Sequence, residues 1–251
     1  MSISGITPGN RGQDRHADEA PWWMSRAWIR FLTDLLLFRS RRRYTLTVST
    51  AAHIGATDPE RRRVEVNPTA IARPVDPARL ASIRGVTLTM RHDERVWQQA
   101  LTTALVEHEC GHIRFTGARP QGETLAWLWN SLEDERQERL LVAAYPELAP
   151  IFDLLGDAMC FTQPSFAGAA PLARCLLWRW VHDRPLGVAG AAPDPDLEPD
   201  PAWEEVRRLV EEAWGASTSE DVVTIARSIL ARLGLSEDAP PQTGGAASWC
   251  A

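Results

Sequence analysis

The sequence predicts an α+β fold that is mainly helical, with a small N-terminal sheet followed by helices. Two observations predict the sheet: residues 44–49 alternate in polarity, and residues 63–66 form a short strand-like run. A third predicts the helices, because apolar residues recur at helical spacing from Val96 onward. With 251 residues, 44% hydrophobic and 24% charged, the chain is long enough for one sizeable soluble domain or two small ones.

The N-terminal part begins with residues 1–20, whose polar composition predicts a disordered leader. The apolar stretch 22–38 predicts a helix, and the arginine-rich run 39–43 places positive charge at its C-terminal dipole. We interpret this helix as a packing helix, although an apolar helix with a basic tail can also lie on a membrane or bind a partner. A further short strand is predicted at 84–90.

Four helical segments follow, at 96–115, 123–145, 148–161 and 171–182. The stretch 183–201 is rich in Pro, Gly, Ala and Asp and predicts a linker. The predicted organisation is therefore a main domain over 21–182, a C-terminal helical segment over 202–235 and a flexible tail over 236–251.

The most informative motif is the H-E-x-x-H pentapeptide His108–His112, which lies inside the first of these helical segments. Four residues make just over one helical turn, so His108 and His112 project from the same face of the helix. Two imidazoles arranged in this way can bind one zinc ion, and Glu109 is then placed to act on a metal-activated water. Cys110 and Gly111 complete the motif; we interpret Cys110 as a small buried residue and Gly111 as a small residue that the metal-facing turn requires.

A third ligand is expected downstream, because catalytic zinc normally takes three protein ligands and leaves one position for water. Glu133 and Asp134 adjoin Leu132, which is predicted to be buried, so at least one of them is expected to point inward. We favour Glu133, since its position 21 residues after His112 resembles the gluzincin type of zincin, and we keep Asp134 as the alternative. The carboxylate that is not the ligand would orient a histidine N–H.

The remaining acids of this run, Glu135 and Glu138, are predicted to form a solvated face of the helix. The metzincin type is excluded, because that type requires Gly and His at the positions where this chain has Phe115 and Ala118.

Two segments together resemble the predicted metallopeptidase domains that are associated with von Willebrand factor A domains and MoxR-type AAA+ ATPases. The first, 105–117, contains H-E-x-x-H-x-x-F-T, and the second, 130–138, reads N-S-L-E-D-E-R-Q-E. The short run 63–68, which ends in Asn-Pro, also resembles the strand that precedes the metal helix in that family. The similarity covers roughly residues 45–180.

This resemblance implies a zincin-like metallopeptidase core, with His108, His112 and Glu133 as metal ligands and Glu109 as the catalytic base. It also implies a MoxR-type ATPase and a von Willebrand A domain protein as partners. The chain has no D-x-S-x-S signature of a von Willebrand A domain, so that module belongs to a separate polypeptide or this chain is a stand-alone relative.

The predicted function is that of a zinc-dependent metallopeptidase, acting on a protein or peptide substrate with metal-activated water and a glutamate general base. His182, Tyr145 and His92 are the candidate donors to the oxyanion. A catalytically silent zinc-binding module in an AAA+ assembly is the main alternative, and hydrolysis of a non-protein amide or ester is another. Imidazole and carboxylate ligands also accept manganese or iron.

Composition excludes several other functions. The chain has no lysine, which rules out Schiff-base chemistry and the phosphate-loop lysine, and its net charge of −6 gives no reason to expect nucleic-acid binding. The four cysteines form no C-x-x-C pair that would indicate a structural zinc site. No secretory signal or membrane-spanning stretch is recognisable, so we expect a cytoplasmic protein.

Overall fold

The computed structural model describes residues 21–50, 54–70, 93–160, 169–182 and 201–241. Over these residues the protein is mainly helical with one small three-stranded sheet, which confirms the predicted class. The helices are α1 (Arg26–Ser40), α2 (Glu94–Phe115), α3 (Glu123–Ala144), α4 (Ala149–Cys160), α5 (Pro171–His182), α6 (Pro201–Trp214) and α7 (Ser219–Leu233). The strands are β1 (Thr45–Val48), β2 (Gly55–Asp58) and β3 (Arg63–Val66), and short 3-10 helices cover Trp22–Met24 and Pro146–Leu148.

Several sequence predictions concern residues outside this description. They are the disordered leader 1–20, the strand 84–90, the linker 183–200 and the end of the predicted tail, 242–251.

The sheet has the order β1-β3-β2, with β1 parallel and β2 antiparallel to the central strand β3. Val64 and Val66 of β3 are fully buried and join the core that α1 and α2 complete. Strand β2 is an edge strand that contacts α2, and the sequence analysis did not predict it. Its four residues, Gly-Ala-Thr-Asp, have little β-branched or aromatic character, so pairing with β3 determines its conformation.

Helix α2 begins at a well-defined cap, because the Asp93 carboxylate accepts hydrogen bonds from the backbone N–H groups of Arg95 and Val96. Leu101 and Leu105 lie one turn apart and are buried in the same cluster as Leu32 and Leu36 of α1. This packing fixes the rotation of α2 about its axis, and with it the direction in which the two histidines point.

Helix α3 belongs to two hydrophobic clusters at once. Leu141, near its end, packs with α1, α2 and the sheet, whereas Leu125, Leu128 and Leu132 pack with α5, α6 and α7. The helices on the two sides of the predicted linker therefore share one core, to which Val210 of α6 contributes.

The start of α3 is held by the chain that follows α7. Gly122 has a φ of 95°, and the Glu237 carbonyl accepts hydrogen bonds from the backbone N–H groups of Thr124 and Leu125. The first residues of the predicted tail thus cap α3. Among the described residues, no helix is long and apolar enough to cross a membrane.

Candidate metal centre

His108 and His112 of α2 and Asp134 of α3 bring three potential ligand atoms together. The two Nε2 atoms are 3.0 Å apart, and Asp134 Oδ1 lies 3.1 Å from His112 Nε2 and 3.6 Å from His108 Nε2. A tetrahedral zinc ion with bonds of about 2.0–2.1 Å sets its ligand atoms about 3.3–3.4 Å apart. The three observed distances bracket that value, so the donor set fits a small divalent cation.

The carboxylate of this cluster supports the same conclusion. Asp134 Oδ1 is buried, and no hydrogen bond of good geometry from the described residues satisfies it, although both imidazoles lie close. A buried oxygen of this kind is costly unless a cation or a donor faces it. The histidine side chains are 14% and 15% exposed, so solvent reaches part of each of them.

The other nitrogen of each imidazole is held from outside the cluster. His108 Nδ1 lies 2.6 Å from Glu138 Oε1, and His112 Nδ1 lies 3.0 Å from Thr116 Oγ1. A carboxylate accepts the Nδ1 proton of His108, and the Thr116 hydroxyl oxygen can accept that of His112. Both Nε2 atoms are then left as the metal-binding atoms.

The charged groups of the site shift the pKa values of one another. Burial by itself lowers the pKa of His108, but its contacts with Asp134 and Glu138 outweigh burial and raise that pKa well above 6.5. Burial by itself raises the pKa of Asp134, and the contacts with His108 and His112 lower it overall. The arrangement therefore favours an ionised Asp134 beside a positive charge, which is either a protonated imidazole or a metal ion.

Glu133, the ligand favoured from the sequence, is not among the three side chains that the structure brings together. It is fully buried and forms a bidentate pair with Arg136, whose Nε lies 2.8 Å from Glu133 Oε2. Arg136 also donates a 2.7 Å hydrogen bond to the Phe115 carbonyl at the end of α2. The structure thus places the alternative, Asp134, at the histidines and joins Glu133 to the scaffold that holds α2 against α3.

The prediction that Glu135 and Glu138 form a solvated face is wrong. Both are buried, at 7% and 5% exposure, because α5 covers this side of α3. Arg179 of α5 pairs with both carboxylates, at 2.9 Å from Glu135 and 2.5 Å from Glu138. Glu138 therefore takes the orienting role that the sequence analysis gave to Glu133 or Asp134, and Arg179 balances its charge.

The predicted base Glu109 points to the edge strand of the sheet. The Thr57 hydroxyl of β2 donates a 2.6 Å hydrogen bond to Glu109 Oε2. Gly55 of the same strand lies so close that a Cβ there would be 2.7 Å from Glu109 Oε1. Strand β2 therefore holds the carboxylate in place, and no sequence pattern indicated Gly55 or Thr57.

The turn between His108 and His112 has room only for a small residue at Gly111, and the reason is packing. A Cβ at this position would lie 1.4 Å from Gln137 Oε1 and 2.9 Å from Leu141 Cδ1, so α3 packs directly on this turn. The close approach brings the Gln137 amide within 3.1 Å of His108 Nδ1. Cys110 is buried between α2 and α1, as predicted for a small buried residue, and burial raises the pKa of its thiol.

Of the three candidate oxyanion donors, only the side chain of Tyr145 lies within the described residues. The Tyr145 ring lies against Arg39, whose guanidinium carbon is 4.4 Å from the ring centroid, and its hydroxyl contacts Arg41 and Arg114. The side chain of His182 and the whole of His92 lie outside the description.

Comparison of the chain with protein-family profiles, curated proteins and solved structures gives no match.

Proposed function

We propose that this protein is a zinc-dependent metallopeptidase whose metal is held by His108, His112 and Asp134. The observation that carries the proposal is the convergence of two Nε2 atoms and one buried carboxylate oxygen at 3.0–3.6 Å, where both histidine side chains are partly exposed. Three protein ligands and a free position are typical of catalytic rather than structural zinc. The position of the motif on one helix and of Asp134 on the next supports the proposal of a zincin-like core.

When bound, zinc would lower the pKa of a coordinated water and polarise the substrate carbonyl. Glu109 would accept the proton that this water gives up and deliver it to the leaving amine. Thr57 keeps the Glu109 carboxylate at one position through its hydroxyl. Glu138 and Thr116 fix the orientation of the two imidazoles.

The test is a pair of measurements on purified protein loaded with zinc: bound metal by elemental mass spectrometry, and hydrolysis of an unfolded protein such as casein. We expect Glu109→Gln to keep its zinc and to hydrolyse casein about 10²–10⁴-fold more slowly, because it lacks the general base. The matched control is Glu107→Gln on the same helix, because Glu107 is also buried but pairs with Arg39 at 3.0 Å. The rate of casein hydrolysis by this control, divided by the concentration of folded protein, should equal that of the wild type.

Retained hydrolysis in Glu109→Gln would contradict the role of the base. A wild-type protein that binds zinc stoichiometrically but cleaves no peptide bond would instead support the silent zinc-binding module. Partnership with a MoxR-type ATPase and a von Willebrand A domain protein stays a prediction, which co-purification of the two proteins would test.

A further inference from the structure

The exposed apolar side chains of this protein are concentrated at α1. Among the described residues, the large hydrophobic side chains that are exposed are Met24, Phe31, Leu37 and Phe38, at 49%, 47%, 48% and 67% exposure. Phe31 stacks on Trp28 with ring centroids 5.2 Å apart, which extends the aromatic surface toward the start of the helix. Apolar residues scattered singly are ordinary, whereas a concentration of this kind on one element marks an interaction surface.

The two sides of α1 differ in what they contact. Leu32 and Leu36 are buried against the core, so the inner side of the helix is fully used by packing. Phe31 and Phe38 are seven residues apart and share the outward side, which Arg30 and Asp34 also occupy. We define the outward face of α1 by Phe31, Leu37 and Phe38 together with the exposed arginines Arg26 and Arg30.

The charge around this face is opposite to that of the whole chain. Between Trp22 and Arg43 there are six arginines and one aspartate, a formal charge of +5, whereas the chain carries −6. Arg39 is buried and the other five arginines are exposed. Asp34 lies 3.7 Å from Arg30, so the one acid of this segment is paired with an arginine.

We propose that the outward face of α1 binds an anionic lipid surface, with Phe31, Leu37 and Phe38 entering the interface and the arginines contacting the headgroups. Large apolar side chains beside arginines on a single helix are the composition of helices that lie in a membrane interface. A second copy of the chain is a poor occupant, because a two-fold contact would bring the same arginines together. The proposal does not depend on the metal centre, which lies on other elements.

The experiment is co-sedimentation of the full chain with phosphatidylcholine vesicles, with and without phosphatidylglycerol. We expect binding to the anionic vesicles only, and we expect added salt to weaken it. Arg26→Gln with Arg30→Gln should reduce partitioning roughly 30-fold, since one basic residue near an anionic surface contributes about 1 kcal/mol. Phe31→Ser with Phe38→Ser should reduce it at least about tenfold, because the apolar contact is lost.

The matched control is Arg208→Gln with Arg227→Gln, which removes two exposed arginines from α6 and α7 and should leave binding unchanged. Thermal melting of each variant establishes that it is folded. The proposal is wrong if the wild type does not bind anionic vesicles, or if the α1 variants bind them as well as the control does. It is also wrong if light scattering detects a dimer that Phe31→Ser with Phe38→Ser dissociates, because the face would then join two copies.

Discussion

Helices α2 and α3 both contribute to the candidate metal centre, but the acidic side chains near the centre have different partners on the two helices. On α2, Glu107 pairs with Arg39 of α1, while Glu109 accepts a hydrogen bond from the Thr57 hydroxyl. On α3, four acidic side chains within two turns are buried, and three of them pair with an arginine of α3 itself or of α5. The centre thus consists of a histidine pair from one helix and a carboxylate selected from several on the other.

The neighbours Glu133 and Asp134 show how that selection works. Both are buried, and they differ in the cation that they face: Glu133 has Arg136, and Asp134 has the two histidines. A buried carboxylate already neutralised by a bidentate arginine has little to gain from a metal ion. The partner of each carboxylate, rather than its distance along the chain, therefore decides which one lies at the two histidines.

The largest expected effect comes from breaking the Glu133–Arg136 pair. Glu133→Gln leaves the buried Arg136 without its counter-charge, and we expect the free energy of unfolding to fall by about 3–5 kcal/mol. Chemical denaturation measures this. The matched control is Glu204→Gln, which removes the acid of an i,i+3 pair with Arg207 that is partly exposed; the loss there should be about 1 kcal/mol or less. Equal losses in the two variants would contradict a scaffold role for Glu133.

A smaller effect is expected from the close packing of the two helices. Gly111→Ala forces Gln137 and Leu141 to move, and we expect it to destabilise the fold by about 1–3 kcal/mol. Gly156→Ala on α4 is the control, because a Cβ there meets nothing within 4 Å. Alanine should be neutral or slightly stabilising at that position. Thermal melting of both variants compares them, and a Gly111→Ala variant as stable as wild type would mean that α3 does not pack on this turn.

The orientation of His108 is expected to affect zinc affinity rather than the stability of the fold. Glu138→Gln removes the carboxylate that accepts its Nδ1 proton, and we expect zinc affinity to fall about 10–100-fold. Glu135→Gln is the control, since Glu135 shares the partner Arg179 but its carboxylate is not the one at His108. Competition with a chromogenic zinc chelator measures both affinities. Equal zinc affinities in the two variants would show that Glu138 does not orient His108 for metal binding.

The sequence predicted the parts of the molecule that follow from local geometry. The spacing of His108 and His112 places both imidazoles on one face of α2, and the periodic apolar residues predicted the helices that the structure contains. The strands β1 and β3 were predicted for the same reason, because their alternation or β-branched content is local.

Features that depend on contacts between distant segments were not predictable in this way. Glu135 and Glu138 look like a solvated face until α5 brings Arg179 over them. Strand β2 has no strand-like pattern of its own, yet it supplies the hydroxyl of Thr57 to Glu109. The choice between Glu133 and Asp134, by contrast, carried a local signal that the sequence analysis missed. Arg136 follows Glu133 by three residues and Asp134 by two, and only the i,i+3 pair shares a helix face, so Arg136 pairs with Glu133.

The central claim is that Asp134, rather than Glu133, is the third metal ligand, and the most direct test is the zinc content of purified Asp134→Asn and Glu133→Gln beside wild type. Elemental mass spectrometry is done on the folded fraction, with Glu133→Leu combined with Arg136→Met as a second way to remove Glu133 without leaving a buried unpaired charge. We expect near-stoichiometric zinc in wild type and in both Glu133 variants, and loss of zinc in Asp134→Asn. Zinc retained in Asp134→Asn and lost in both Glu133 variants would contradict the account and return the third ligand to Glu133.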